Sequence, residues 1–170
     1  MAVGLLRAGA NVMGHSIQVA SAGTIAGGQP AEPHAVEVMA DRGIDISSHR
    51  SHKLAAVDID AADLVLCMAR EHVVTAAGEV FDAFDRIFTI KDFVARARAV
   101  GPKPADQPLQ KWLAELCAGR SHSDLLRPDP ELDVADPLGY GRRAYERTAT
   151  ELEGLSWAVL DFLAGYPPRG

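Results

Sequence analysis

Cysteine is scarce in this chain: Cys67 and Cys117 are the only two among 170 residues. That excludes a disulfide framework and makes a reducing cytoplasm the expected compartment. Long apolar runs are missing as well. No stretch approaches the roughly 20 residues needed to cross a bilayer, so no membrane partner is expected. Arg7 and Asn11 interrupt the apolar N-terminal stretch, which argues against a secretory leader. Positive charge is in deficit, with 17 basic residues against 23 acidic ones and a formal charge of −6. No basic stripe points to nucleic acid. His49 and His52 have the look of a metal pair, but no third ligand stands at a recognisable spacing, so neither metal nor other cofactor is expected. No internal repeat is visible.

What remains is ordinary for a soluble globular protein. The chain is 48% hydrophobic and 24% charged, and its length suits one domain over residues 1–170 with a sizeable core. Residues 2–13 have helical spacing, with Val3, Leu6 and Ala10 on one side. Ile17 to Ser21 reads as the first strand, followed by the exit Ala22-Gly23-Thr24. Residues 31–42 predict a helix with Val36, Met39 and Ala40 inward and Gly43 as its stop. A polar corner, Ser47-Ser48-His49-Arg50-Ser51, comes next. Leu64-Val65-Leu66-Cys67-Met68 is the near-continuous apolar run of a strand buried on both faces. A helix over 70–78, a strand over Arg86–Ile90 and helices over 91–100 and 108–118 follow.

A loop rich in Asp, Pro and Ser runs from about 120 to 135 and delivers Asp136-Pro137. The last helix starts near Gly141 and carries Tyr145, Leu152, Leu155, Val159 and Phe162 at spacings of three, four and seven, before Pro167-Pro168 ends it. Strands alternating with helices imply a parallel sheet. The expected class is α/β, a three-layer α/β/α arrangement around a small parallel sheet. In such sheets chemistry gathers outside the carboxyl ends of the strands, which is where Ser21 would place its hydroxyl.

Several pieces together resemble the low-molecular-weight protein tyrosine phosphatases. They are Ser21-Ala22-Gly23-Thr24, then Gly28 and Pro30, Gly43-Ile44-Asp45 with Ser48-His49-Arg50-Ser51, Ala62-Asp63-Leu64-Val65-Leu66 with Met68, and Asp136-Pro137. Phe88-Thr89-Ile90-Lys91-Asp92-Phe93 and the loop before Asp136 are similar to the actinobacterial branch. The resemblance covers roughly residues 1–163 and implies the family's chemistry. A thiolate held by backbone N–H groups attacks phosphorus, an arginine grips the phosphate oxygens, and an aspartate protonates the leaving oxygen, then deprotonates water. Asp136 matches that general acid. Ser21 and His49 match the residues that hold the phosphate loop in shape. The implied partner is a phosphorylated protein or a small aryl phosphate.

The same resemblance exposes a departure. The family opens with a strand running into a Cys-x5-Arg loop, followed by a helix that commonly reads Met-Ala-x-x-Leu-Leu-Arg. This chain starts Met1-Ala2-Val3-Gly4-Leu5-Leu6-Arg7, like that helix with everything before it removed. Six residues after Cys67 stands Val73, and six after Cys117 stands Ser123, so neither cysteine has the arginine. Cys67, mid-strand, reads as an inert small hydrophobe. The expectation is a phosphatase whose start is too late, inactive as written. A pseudophosphatase that binds without turnover is the alternative, and a remnant is the third reading. An arsenate reductase needs relay cysteines near one another, whereas these stand fifty positions apart. Aromatic walls are also thin: Ile25-Ala26-Gly27 follows Thr24, and Leu138-Gly139 follows Asp136-Pro137, leaving Tyr140 as the pocket rim. Without the missing strand, Ile17–Ser21 and Leu64–Met68 must pair directly or leave ladder groups unmet.

Overall fold

The structure, a computed structural model, describes residues 1–126 and 129–168. Residues 127 and 128, inside the polar loop expected from 120 to 135, lie outside the described residues. In chain order the elements are α1 (Ala2–Met13), α2 (Pro33–Ala40), α3 (Ala56–Asp60), β1 (Val65–Cys67), α4 (Arg70–Glu79), β2 (Ile87–Thr89), α5 (Ile90–Val100), α6 (Leu109–Leu116) and α7 (Arg142–Leu163). Short 3-10 turns occupy Phe81–Arg86, His122–Leu126 and Pro130–Leu132.

The sheet has two strands, β1 and β2, paired in parallel with Val65 opposite Ile87, Leu66 opposite Phe88 and Cys67 opposite Thr89. Parallel pairing requires a crossover, and α4 supplies it. Side chains alternate across the pleat, and the core divides accordingly. Phe88 and Leu66 face the larger cluster, with Met39, Phe93, Trp112 and the buried stripe of α7. Val65, Cys67 and Ile87 face a smaller one under α3 and α4, with Ile59, Val73, Ala76 and Phe84. Helices therefore cover both faces of the sheet.

Local chemistry sets the helix ends. The Thr89 hydroxyl accepts the Asp92 amide at 3.1 Å, so α5 begins at Ile90, one residue before the expected start, and takes Ile90 out of the strand. At α2, Glu32 caps the His34 amide at 2.8 Å and Pro33 takes the first helical position, which moves that start from 31 to 33. The α7 stripe is buried at Tyr145, Thr148, Ala149, Leu152, Ser156, Val159 and Phe162, one face of a 22-residue helix. Phe88, Phe93 and Trp112 pack edge to face in series, at 5.7 and 5.8 Å between centroids. Each such burial is worth about 1.5–3 kcal/mol.

The expected strand at Ile17–Ser21 is not formed. The segment runs outside any regular element, Ile17 is 39% exposed and Ser21 is exposed. Alternation of apolar residues favours an extended conformation, but a strand exists only where a neighbouring edge accepts its hydrogen bonds. Residues 17–21 find none among the described residues; the nearest pairings are the isolated bridges Gly23 to Lys53 and Pro30 to Arg50. No ladder joins residues 17–21 to residues 64–68 among the described residues. No helix among the described residues is long and apolar enough to cross a membrane.

α1 packs against α7 where it has no side chain to spare. A Cβ built on Gly9 falls 2.5 Å from Leu160 Cδ1. Gly9→Val is expected to lower the unfolding free energy by about 1–3 kcal/mol through overpacking. Gly154→Ala, in open space on α7, should raise it by up to about 1 kcal/mol. Urea-denaturation midpoints check both. The Met1 α-amino group is held below its ordinary value of 8.0 by burial. Its charged form is therefore disfavoured by folding, so stability should rise as pH climbs from that lowered value to 8.0 and level off above. Thermal melts between pH 6 and 9 should show this slope, and an Nα-acetylated chain should lose it.

Candidate active site

Two loops are zipped together beside α1. Gly23 donates to the His52 carbonyl at 2.7 Å and its own carbonyl accepts from Leu54 at 2.8 Å; Gly28 donates to the Ser51 carbonyl at 2.7 Å; the Ser51 amide donates to Gln29 at 2.8 Å. The Ser51 hydroxyl adds a bond to the Ala26 carbonyl at 3.0 Å and accepts the Gln29 amide at 3.0 Å. The approach is close enough that a Cβ on Gly27 would stand 3.3 Å from the Lys53 nitrogen. At the far side of this pair, His52 Nε2 reaches both Asp58 oxygens at 3.1 and 3.0 Å. Asp58 also accepts the Ala55 amide at 2.9 Å. That amide and His52 hold the Asp58 carboxyl below the usual range. The corner before the loop is an Asx turn, with Asp45 accepting the Ser47 amide at 2.8 Å.

Ser21 lies exposed just ahead of this zipper, and His49 is half-buried within the second loop, its amide bonded to the Ile46 carbonyl at 3.0 Å. Arg50 and Lys53 are exposed, as a solvated rim requires.

The loop that leads to Asp136 is tied down more firmly. Val134 donates to the Met68 carbonyl at 2.8 Å, one residue beyond β1. Asp133 accepts the Arg70 amide at 2.7 Å, at the first turn of α4. On the other flank, the Thr148 hydroxyl of α7 donates to the Ala135 carbonyl at 3.1 Å. Residues 133–135 are thereby pinned between the carboxyl end of β1 and α7. Asp136 follows directly, exposed, with Oδ1 accepting the Leu138 amide at 3.0 Å in an Asx turn around Pro137. Leu138 and Tyr140 are 65% and 69% exposed. They form an open lip, not a closed wall.

Sequence reasoning missed two groups near that acid. Tyr145 is buried, and its hydroxyl titrates above the ordinary value because of burial, then the charge and hydrogen bond of Glu32, then the charge of Asp136. Two carboxylates, Glu32 from the start of α2 and Asp136 from its loop, thus flank one phenol. A Glu before a proline at a helix start was the available signal for Glu32, but it points to a cap, not to a neighbour about a hundred residues away in sequence.

Neither cysteine belongs to this arrangement. Cys67 is buried in the smaller core cluster, and that burial pushes its thiol up to about 12. Cys117 is half-buried and also pushed up by burial, against the opposing pull of Arg120, whose Nη1 lies 3.3 Å from Sγ. Beyond the strand ends a cleft of about 610 Å³ is lined by Arg70, Thr89, Asp92, Arg120, Asp124 and Asp129. Asp92 stands between Arg96 at 2.7 Å and Arg120 at 3.6 Å. Arg96 and Arg120 are thus paired with Asp92, whereas Arg70 gives Nη1 to the Asp124 carbonyl and keeps a buried Nε with no hydrogen-bond partner. Among the described residues no group of three metal-ligating side chains occurs.

These thiols carry a prediction. At pH 7.5 iodoacetamide should leave Cys67 unmodified and modify Cys117 more slowly than free cysteine, because the thiolate is the reactive species. Both should react fully in urea. Peptide mass mapping reads the result, and fast labelling of Cys67 in the folded chain would return it to the list of nucleophiles.

Comparison with known proteins gives the geometry a family. The profile of the low molecular weight phosphotyrosine protein phosphatases matches residues 1–111. A probable low molecular weight protein-tyrosine-phosphatase, EpsP of Ralstonia solanacearum, is 53% identical over 53 residues, which are 31% of this chain and 37% of EpsP. The chain thus spans well under half of that curated relative. The low molecular weight protein tyrosine phosphatase of T. tengcongensis superposes with a TM-score of 0.70 at 33% identity, over 95% of this chain and 88% of that one. The arginine phosphatase YwlE, solved as a cysteine-to-serine variant with a phosphorylated active-site serine, superposes with a TM-score of 0.71 at 26% identity, over 96% of this chain and 86% of the other. A match over residues 1–111 and a fold shared along nearly the whole length place this chain in the low molecular weight phosphotyrosine protein phosphatase family.

Proposed function

We propose that this protein serves phosphomonoester hydrolysis, on a phosphorylated protein or a small aryl phosphate, with Asp136 as general acid. The observation that carries the reading is the pinning of residues 133–135 between Met68, Arg70 and Thr148. Those bonds hold an exposed carboxyl at the carboxyl end of a parallel strand, where ligands of open α/β sheets bind. In this reading a thiolate attacks phosphorus, the S–P bond forms as the P–O bond breaks, and Asp136 gives its proton to the departing oxygen. Asp136 then takes a proton from the water that opens the phosphocysteine. Ser21 and His49 support the phosphate loop, and Tyr140 forms part of the rim.

This reading requires a nucleophile and a gripping arginine that neither cysteine with its surroundings supplies. Cys67 is buried, its thiol is held near 12, and it faces the wrong side of the sheet; Cys117 bonds to the Asp85 carbonyl at 3.0 Å. YwlE supports the reading, since its active-site residue is a cysteine replaced by a serine that carries phosphate. On this reading the 170-residue chain alone should not turn over phosphomonoesters. Leu138, 65% exposed at the lip, is aliphatic, so a non-aromatic substrate end also fits there. A phosphoarginine side chain, as the name of YwlE suggests, is the second reading.

A longer form carrying a strand and Cys-x5-Arg ahead of Met1 tests this. It should hydrolyse p-nitrophenyl phosphate while the 170-residue chain does not. In it, Asp136→Ala should lower kcat by about 10²–10⁴-fold on poor leaving groups, with the smallest loss on p-nitrophenyl phosphate. An unchanged rate removes Asp136 from the mechanism. A longer form that binds phosphate but never turns over establishes a binding module instead.

A further inference from the structure

We propose that the cleft beyond the carboxyl ends of β1 and β2 binds a small molecule carrying one phosphate-type oxyanion, with the Arg70 guanidinium as its seat. The place follows from topology. Parallel strands that run straight into helices leave a crevice beyond their carboxyl ends. Arg70 is the first residue of α4 and Thr89 caps α5, and both line the cleft. The positive ends of two helices, of 10 and 11 residues, therefore open on it. Its volume of about 610 Å³ falls within the roughly 300–1,000 Å³ of small-molecule sites. Nothing in this site depends on phosphomonoester hydrolysis.

The three arginines of the cleft differ in what they are free to bind. Arg120, with a side chain only 7% exposed, is spent on the Phe84 and Ile87 carbonyls and on Asp92. Arg96 gives Nε to Asp92 at 2.7 Å and Nη1 to the Leu116 carbonyl at 2.9 Å. The Arg70 guanidinium pairs with no carboxylate among the described residues: Nη1 goes to the Asp124 carbonyl, and Nε is buried with no partner. A guanidinium takes an oxyanion side-on through two neighbouring N–H groups, and with Nη1 spent that edge is Nε with Nη2. An unmet buried donor is costly, and an oxyanion relieves it once the half-buried side chain turns its Nε edge to the cleft. The aspartates of the cleft select the anion. Asp129 is exposed at its rim, and a phosphate that keeps one proton can donate to it, whereas fully ionised sulfate cannot. Val73, Phe84 and Leu132 add an apolar wall for the body of the ligand. Asp133, one residue past Leu132, sits on the Arg70 amide, so an occupant also steadies the approach to Val134.

The experiment titrates the ¹⁵N-labelled 170-residue chain near neutral pH, at constant ionic strength, with inorganic phosphate, phenylphosphonate, sulfate and acetate. Phosphate and phenylphosphonate should saturate one to one and move the Arg70 Nε–H signal together with the amides of residues 70–73 and 129–134. They should also slow exchange of the Val134 amide at least threefold. Phenylphosphonate should bind at least threefold more tightly than phosphate, and sulfate and acetate at least tenfold more weakly. Arg70→Gln should weaken phosphate at least tenfold, while Arg98→Gln, exposed in the last turn of α5, should leave it unchanged. Arg70→Lys, which keeps the charge and loses the side-on edge, should weaken it at least threefold and serves if the Gln variant does not fold. An unmoved Arg70 Nε–H signal overturns the site. So do saturable shifts confined to residues 2–5, which place the anion at the start of α1, and unsaturable shifts at every exposed cation, which mean an adventitious ion only. Equal affinity for phosphate, sulfate and acetate overturns the assignment to phosphate.

Discussion

Val134 gives its amide to the Met68 carbonyl at 2.8 Å, one residue past the end of β1, and the rest of the site depends on that bond. A polar loop of this length has no reason of its own to stop where it does. Chain entropy favours its wandering. The bond converts it into a continuation of the sheet, and the Asp133 carboxylate on the Arg70 amide repeats the anchor at the start of α4. Only after those two contacts does Asp136 acquire a fixed address. The aspartate itself is exposed and lightly held, which suits the proton transfer proposed for it.

The same pairing logic explains which elements were legible. α7 and α5 are local objects: their stripes of apolar residues recur with the helical period, and Thr89 and Gly141 mark their starts. The apolar run Leu64–Met68 was readable as a strand, though only Val65–Cys67 pair and only Cys67 of the run is fully buried. Ile17–Ser21 had a passable strand pattern and failed, because a strand is a relation between two segments and its partner is not in the pattern. Asp136, Ser21 and His49 were legible through resemblance to a family, since each is a common residue type in a turn. The place of Glu32 and Tyr145 beside Asp136 was not legible. Their meeting with Asp136 is a product of α2 and α7 packing together, and nothing local encodes it.

Burial decides the chemistry of sulfur here. A thiol becomes a nucleophile when its anion is stabilised, by a helix N-terminus, a cation or a shell of N–H donors. Cys67 has apolar neighbours and a value near 12, so at neutral pH its thiolate fraction is about one in 10⁴–10⁵. Cys117 does have a cation, Arg120, yet that guanidinium is spread over the Phe84 and Ile87 carbonyls and the faces of Phe84 and Phe88. A charge already satisfied by several partners stabilises a new anion poorly. Both cysteines are therefore structural, by different routes.

A sheet of two short parallel strands is a weak object in isolation, and here each of its edges is handled by different means. Arg120 closes β2 with a side chain, at the cost of ordering a long cation against two aromatic rings. At β1, residues 64–67 make no backbone hydrogen bond beyond β2 among the described residues. An edge left bare in a stable protein invites aggregation unless it is charged, twisted or covered, and residues 64–67 carry no charge. Apolar, half-buried and unpaired, that edge has the properties of an interior surface. The large core cluster draws α1, α2, α5, α6 and α7 around Phe88 and Trp112, so helix packing, more than the two-strand ladder, carries the buried core.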